Sequence, residues 1–369
     1  MIPYLPPTYC WNHQYFTKEQ IESITRQDYI LSRLNNQPTK LYKYFPNIVD
    51  QQTGRNFSVE ALQKNTVYLQ SPINFDDPYD STICLDEYQF CIQRLKYYCD
   101  LCEFPYDETW DYRELVNEFA KYLNALDCKT EEEWERVFKV KGLENDVLDL
   151  THRIFAKTLQ VWLFQRENQN GMWQTCINVA LHHEYESVQD NLAGKFKISC
   201  FTTTPFSMLM WAHYANSHKG FCIEYDFPQI NGQYQDISLN LFPVIYSNVR
   251  VSVLEHCLID LKSPTVTDEV LWPIYKYGLL AKSLYWLYQD EWRLVSCDDL
   301  LADQPNYNST FSPITRVYLG AKMSDENRKK IAGMCKEKKI PVSCVMPTTM
   351  DYSMQECGGR LKADCILGL

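Results

Sequence analysis

The chain has 369 residues, 45% of them apolar and 22% charged, which suffices for a full hydrophobic core in one large domain or two ordinary ones. Its formal charge of −11 disfavours non-specific nucleic-acid binding, while leaving room for a local basic groove. Glycine is scarce at 12 residues, and the Gly-rich dinucleotide and P-loop fingerprints, the nucleophile elbow and the zinc-protease signature are missing.

The first 16 residues are rich in Pro and aromatic side chains and are expected to wrap the surface. They carry neither a basic n-region nor an apolar h-region, so they do not read as a signal peptide. The segment from Thr17 reads as a helix capped by that threonine. Leu41 to Tyr44 reads as a short strand, Ser58 to Asn65 as a helix and Thr66 to Gln70 as a second strand. The loop Ser71 to Asp80 is dense in Pro, Asn and Asp.

From about Leu85 to Leu192 the texture turns helical, as in WDYRELVNEFAKYLNAL and LENDVLDLTHRIFAKTLQVWLF. After Lys195 the β-rich texture returns in KISCF, GFCIEYDF, FPVIYS, EWRLVSC, TRVYLG and IPVSCVM. A helical segment is expected near 266 to 286, and a basic helix capped by Ser324 follows. The predicted fold class is α+β (mixed α/β), a discontinuous β-sheet core with a large all-helical insertion. The chain divides into an N-terminal helical segment (1–40), a first core segment (41–85), the helical insertion (86–195) and a second core segment (196–369).

Fifteen cysteines, odd in number and scattered, do not form a disulfide framework. On one helix Cys84, Cys91 and Cys102 would fall within about 20° of each other, the mark of a buried face rather than a zinc site. No run approaches the ~20 apolar residues of a membrane helix. The expected setting is the cytoplasm, with reduced thiols, no membrane and no bound metal.

Four constellations could carry chemistry. Asn74, Asp76, Asp77 and Asp80 share one loop, as turn formers or as metal or ribose ligands. The run His182-His183-Glu184-Tyr185-Glu186 lacks a second His at helical spacing and reads as a solvated helix end. Phe201 to Asp226 packs Trp211, His213, Tyr214, His218 and Lys219 ahead of a strand. In that strand Phe221, Ile223 and Tyr225 oppose Cys222, Glu224 and Asp226. His213 and His218 stand about 140° apart on a helix and make a poor metal pair, so His213 is expected to donate hydrogen bonds or orient a ligand. Finally, in KSLYWLYQDEWRLV, Glu291 and Arg293 share a strand face, as a structural pair or as a working carboxylate oriented by its guanidinium.

Together these motifs resemble a bacterial family known as domain of unknown function 2971. The matching elements are LYKY at 41–44, VYLQSPINFDDPYD at 67–80, CFTTTPFSMLMWAHYANSHKGFCIEYD at 200–226 and KSLYWLYQDEWRLV at 282–295. VIYS at 244–247 and ITRVYLGAKMS at 314–324 fit its later strands. Asp76 stands where the family usually has Asn, and Gln289 where it usually has the first Glu of a pair.

The motif order is similar to that of ADP-ribosyltransferase-like folds, which implies NAD as substrate. By that likeness Glu291 is the catalytic candidate. Tyr42, Lys43, Asn74, Asp77, Trp211, His213, Tyr214 and Arg293 are the candidates for binding a small molecule in an aromatic cleft. Lys43 departs from the His or Arg of many such enzymes but could reach a phosphate or ribose oxygen. The acceptor, protein or nucleic acid, is left open, and a defence or toxin effector would fit. Two alternatives are a metal-dependent nuclease or phosphodiesterase using Asp76, Asp77, Glu224, Asp226 and Glu291, and a non-enzymatic ligand-sensing or binding module in phage defence.

Overall fold

The computed structural model describes residues 8–35, 38–81, 86–126, 128, 130–141, 147–164, 172–194, 196–226, 240–253, 272–297, 306–310 and 313–357. The fold is α+β. Two compact units can be separated, one of Met1–Ser81, Gly194–Val249 and Leu280–Leu369, the other of Thr82–Ala193 and Arg250–Leu279. The second contains the helical stretch and also takes in 250–279, which the sequence reading placed with the core.

In chain order the elements begin with β1 (Tyr9–Trp11), β2 (Gln14–Phe16), α1 (Lys18–Ser23), α2 (Arg26–Asn35), β3 (Lys40–Phe45), α3 (Phe57–Lys64) and β4 (Thr66–Gln70). The second unit contributes α4 (Glu87–Leu101), α5 (Tyr112–Ala125), α6 (Glu131–Val137), α7 (Val147–Phe164) and α8 (Met172–Gly194). Then follow β5 (Phe196–Thr202), α9 (Met208–Tyr214), β6 (Phe221–Asp226), β7 (Leu241–Pro243), β8 (Ile245–Ser247), β9 (Ala281–Ser283) and β10 (Glu291–Cys297). The chain ends in β11 (Asn306–Thr310), β12 (Ile314–Leu319), α10 (Asp325–Glu337), β13 (Val342–Pro347) and β14 (Met354–Glu356).

Local chemistry sets many of these boundaries. Thr17 closes a reciprocal capping box with Gln20. The helix it starts stops at Ile24, which is extended, and Thr25 and Asp28 exchange hydrogen bonds that start α2, so one expected helix becomes two. Asn65 ends α3 in the left-handed conformation. The N-terminal segment does not merely wrap the surface: Tyr9, Cys10 and Trp11 are buried, and β1 pairs with β2 and β8. Of the helical segment expected near 266–286, residues 266–271 lie outside the described ones; the rest is helical at 272–279, with a π-helical turn at Ile274–Leu279, and at the 3-10 helix Leu284–Gln289, interrupted by β9.

The main sheet runs β11-β4-β5-β3-β6-β12-β13-β14, with β10 and β7 branching from β5. β6 lies between β3 and β12 and is buried on both faces. Phe221, Ile223 and Tyr225 pack on one face with Leu41, Phe45, Leu62 of α3 and Ile331 of α10. Cys222 packs on the other with Tyr42, Tyr44 and Trp211 of α9. The two faces are those expected from the alternation. β12, α10 and parallel β13 form one crossover unit.

Two glycines fix the turn between α9 and β6. A Cβ on Gly220 would lie 2.0 Å from the carbonyl oxygen of Phe45, and one on Gly320 would lie 2.2 Å from that of His218. Both obstacles are backbone and cannot swing aside. Gly220→Ala should therefore lower stability by about 3 kcal/mol, the upper end of the usual cost of overpacking. Urea denaturation checks this, and an unchanged midpoint would contradict the packing.

In the helical unit Cys91 and Cys99 are buried and Cys102 half-buried, while Cys84 lies outside the described residues and before α4 begins. Glu184 corrects an expectation. It is not on a solvated helix end but fully buried in α8, paired with Arg94 and accepting from the Tyr98 hydroxyl at 2.8 Å. His182, on the exposed side, meets Glu87 at 2.8 Å instead. Among the described residues no helix is long and apolar enough to cross a membrane.

Candidate functional site

The sheet parts where β5 leaves its neighbours. β5 pairs with β10 over seven positions, from Phe196↔Cys297 to Thr202↔Glu291. It meets β3 at Tyr42↔Thr202 and β4 at Gln70↔Ile198. A cavity of about 640 Å³ opens in that gap, well within the range of small-molecule sites. Its aromatic wall includes Tyr42, Tyr44, Tyr68, Tyr214 and Trp286. Its polar groups include Lys43, Gln70, Asn74, Asp76, Asp77, Gln289 and Glu291.

Three charges on the floor, Asp80, Lys282 and Glu291, join a fourth, Arg293, beneath it. Glu291 accepts from Arg293 Nε at 2.7 Å and from Lys282 Nζ at 2.7 Å. Asp80 accepts from Lys282 at 2.8 Å and from Arg293 at 2.5 Å. All four side chains are buried, and their charges cancel. Such a network holds only while each member keeps its partners. Burial pushes the Glu291 carboxyl up, but the Arg293 and Lys282 charges outweigh it and hold it well below the usual carboxylate range. Burial also works against the Lys282 ammonium, yet Glu291 and Asp80 keep it firmly protonated.

A pH dependence follows. The folded pKa of Glu291 is depressed below an unfolded value of about 4.3, so its stabilising charge is fully present above that value. The contribution is lost as pH falls through the folded pKa. Melting temperatures should show no step from this group between about pH 5 and 8. A step in that window that disappears on replacing Glu291 would contradict the assignment.

The rest of the wall is held by hydrogen bonds. Lys43 Nζ spans the gap to the Cys200 carbonyl at 2.9 Å and lies 5.2 Å from the Phe201 ring centroid. Burial lowers its pKa, against the opposing pull of Cys200 and Glu291. Gln289 donates to the Tyr214 hydroxyl at 2.7 Å, leaving the phenol hydrogen for another acceptor. Burial, tempered by Lys282, pushes that phenol up to about 12, so Tyr214 stays a neutral donor. Trp286 donates to Asp77 at 2.7 Å, fixing the indole plane beside the loop. Cys200 also lines the cavity, but burial and Glu291 raise its thiol to about 12 and keep it from acting as a thiolate.

Of the candidates read in the sequence, Tyr42, Lys43, Asn74, Asp77, Tyr214 and Glu291 line this cavity together. Trp211, His213 and Arg293 are not on its lining. Trp211 is fully buried, stacked edge-on against Tyr44 at 5.1 Å with its indole N–H on the Pro205 carbonyl at 2.8 Å. It supports the aromatic wall from behind, and its removal would empty the core rather than the cavity. His213 is exposed at the end of α9, near Tyr214 and Tyr288. Arg293 commits its three guanidinium nitrogens to Glu291, Asp80 and Ser81, so it positions Glu291 rather than touching a ligand. Sequence reading offered Asp80 only as one of several loop carboxylates and Gln289 only as a departure from the family, and it gave Lys282 no role, although all three stand inside its motifs.

Among the described residues no group of three or more His, Cys, Asp or Glu side chains is arranged to hold a metal ion. Glu224 is committed elsewhere, to Lys40 at 2.6 Å, Thr315 at 2.8 Å and Tyr318 at 2.8 Å.

An α+β protein with a neutral, buried four-charge network beneath an aromatic cavity is thus defined. Residues 210–294 match the model of a family described as Protein of unknown function (DUF2971). Over that stretch, which carries Tyr214, Lys282, Gln289, Glu291 and Arg293, the resemblance read in the sequence holds. No curated protein and no solved structure matches the chain.

Proposed function

We propose that the chain binds NAD in this cavity and catalyses ADP-ribosyl transfer, with Glu291 as the catalytic carboxylate. The observation that carries the reading is an ionised carboxylate fixed in the wall of an aromatic cavity. In the reaction the bond from the ribose C1′ to the nicotinamide nitrogen breaks and nicotinamide leaves as a neutral base. Positive charge then develops on the ribose, and a pre-set carboxylate stabilises it without reorganisation. The acceptor nucleophile bonds to C1′ and loses its proton.

Each Glu291 oxygen accepts one bond from the protein and keeps a lone pair for a ribose hydroxyl. Tyr214 and Trp286 offer faces for the nicotinamide ring. Gln70, Asn74 and Gln289 offer amides for its carboxamide, and Lys43 could reach a ribose or phosphate oxygen. The described cysteines are free thiols, which fits a reducing compartment such as the cytoplasm.

The neutrality of the network favours, as a second reading, a binding module that holds a ligand without turnover. The nuclease alternative has less support, because Glu224 and Asp226 do not line the cavity with Asp76, Asp77 and Glu291.

Nicotinamide release from NAD, followed by chromatography with and without a crude mixture of acceptor proteins and nucleic acids, tests the transferase. Release at a rate above solvent hydrolysis is expected. Binding of NAD by calorimetry with no release would favour the binding module, and neither binding nor release would remove the NAD reading.

A further inference from the structure

Several surface cations of this acidic chain are paired. Lys18, Lys64, Lys96 and Lys121 each meet a glutamate. One region gathers several that are not. Lys322, Lys329, Lys330, Lys336 and Lys339, on and around α10, are exposed. Lys219 is exposed too, on a turn joined to this region by the bond from Lys322 N to the His218 carbonyl at 2.9 Å. Among the described residues none of these six forms an ion pair.

A second observation is independent of charge. Lys329, Gly333 and Lys336 form one row on the exposed side of α10, while Ile331, Ala332 and Cys335 are buried. The two lysines stand about 10 Å apart along the axis. A Cβ on Gly333 would meet nothing within 4 Å, so packing does not require the glycine. In a helix interior it costs about 1 kcal/mol relative to alanine. A bare strip between lysines lets another backbone approach the helix closely.

We propose that the exposed face of α10, extended by Lys219 and Lys322, docks the phosphodiester backbone of a nucleic acid. Point charges flanking a bare strip suit a repeating line of phosphates. A membrane surface would call for exposed apolar side chains to insert, and this row presents none. The acidic remainder of the chain repels a polyanion, so the patch also fixes the orientation of encounter. Asp325, Glu326 and Glu337 are exposed on the same helix and offset part of this charge, so the lysines before and after α10 contribute to the attraction.

The test is fluorescence anisotropy of labelled duplex DNA and labelled single-stranded RNA with the full chain. With three to five phosphate contacts, duplex affinity should fall about 40- to 500-fold between 50 and 200 mM salt. K329E/K330E/K336E, which alters exposed side chains, should keep the melting temperature and weaken binding at least about tenfold. Gly333→Ala should raise stability yet weaken binding. Binding of neither probe at 50 mM salt, equal binding by the triple variant, or binding to phosphatidylserine vesicles in place of nucleic acid would each overturn the proposal. Nicotinamide release depends on none of these residues, so this test and that of the NAD reading can fail separately.

Discussion

Glu291→Gln is expected to lose both stability and activity, and a second substitution should separate the two losses. Glutamine keeps the shape but removes one of two negative charges, leaving Lys282 and Arg293 to share Asp80. An uncompensated buried charge of this kind costs about 3–5 kcal/mol. Adding Lys282→Met restores neutrality, because Asp80 and Arg293 still pair. The double variant should recover most of the melting temperature. It should not recover nicotinamide release, which is expected to stay about 10²–10³-fold down, the usual worth of a pre-set electrostatic group. Calorimetry and the release assay on the same preparations check both halves. A double variant that regains activity with its fold would make Glu291 structural and end the transferase reading.

The second large effect belongs to the helical unit. The Arg94 guanidinium lies over Tyr97 and Tyr98 at 4.8 and 4.9 Å, donates to the Tyr98 hydroxyl at 2.9 Å and pairs with Glu184. Arg94→Leu alone strands a buried carboxylate and should cost about 3–5 kcal/mol. Arg94→Leu with Glu184→Leu should come back close to the parent, since both charges leave together. Denaturation of the full chain by urea measures the difference. A single variant as stable as the parent would show that Glu184 takes up a proton at little cost.

The fold was legible where periodicity is strong. The alternation in Phe221 to Asp226 marked both faces of β6, and the two-residue spacing of Glu291 and Arg293 put them on one face of β10, 2.7 Å apart. What failed was what depends on partners far along the chain. Asp80 and Arg293 are 213 residues apart, and nothing in the loop Ser71 to Asp80 shows which of its carboxylates is buried. Trp211 and Tyr214 look alike in sequence, three residues apart on one short helix. One fills the core and the other faces the cavity, a difference set by how α9 lies on β3. Glu184 misled for the same reason, because a buried glutamate can be recognised only once its arginine is in view. Tyr9 to Trp11 escaped notice as a strand because prolines dominate the residues before it.

The most direct test of the central claim is a crystal structure of the protein soaked with a carbocyclic NAD analogue that cannot be cleaved. The nicotinamide ring should lie against Tyr214 and Trp286, with the adjoining ring hydroxyl within hydrogen-bond reach of Glu291. An empty cavity at saturating analogue, or the analogue bound elsewhere, would contradict the account.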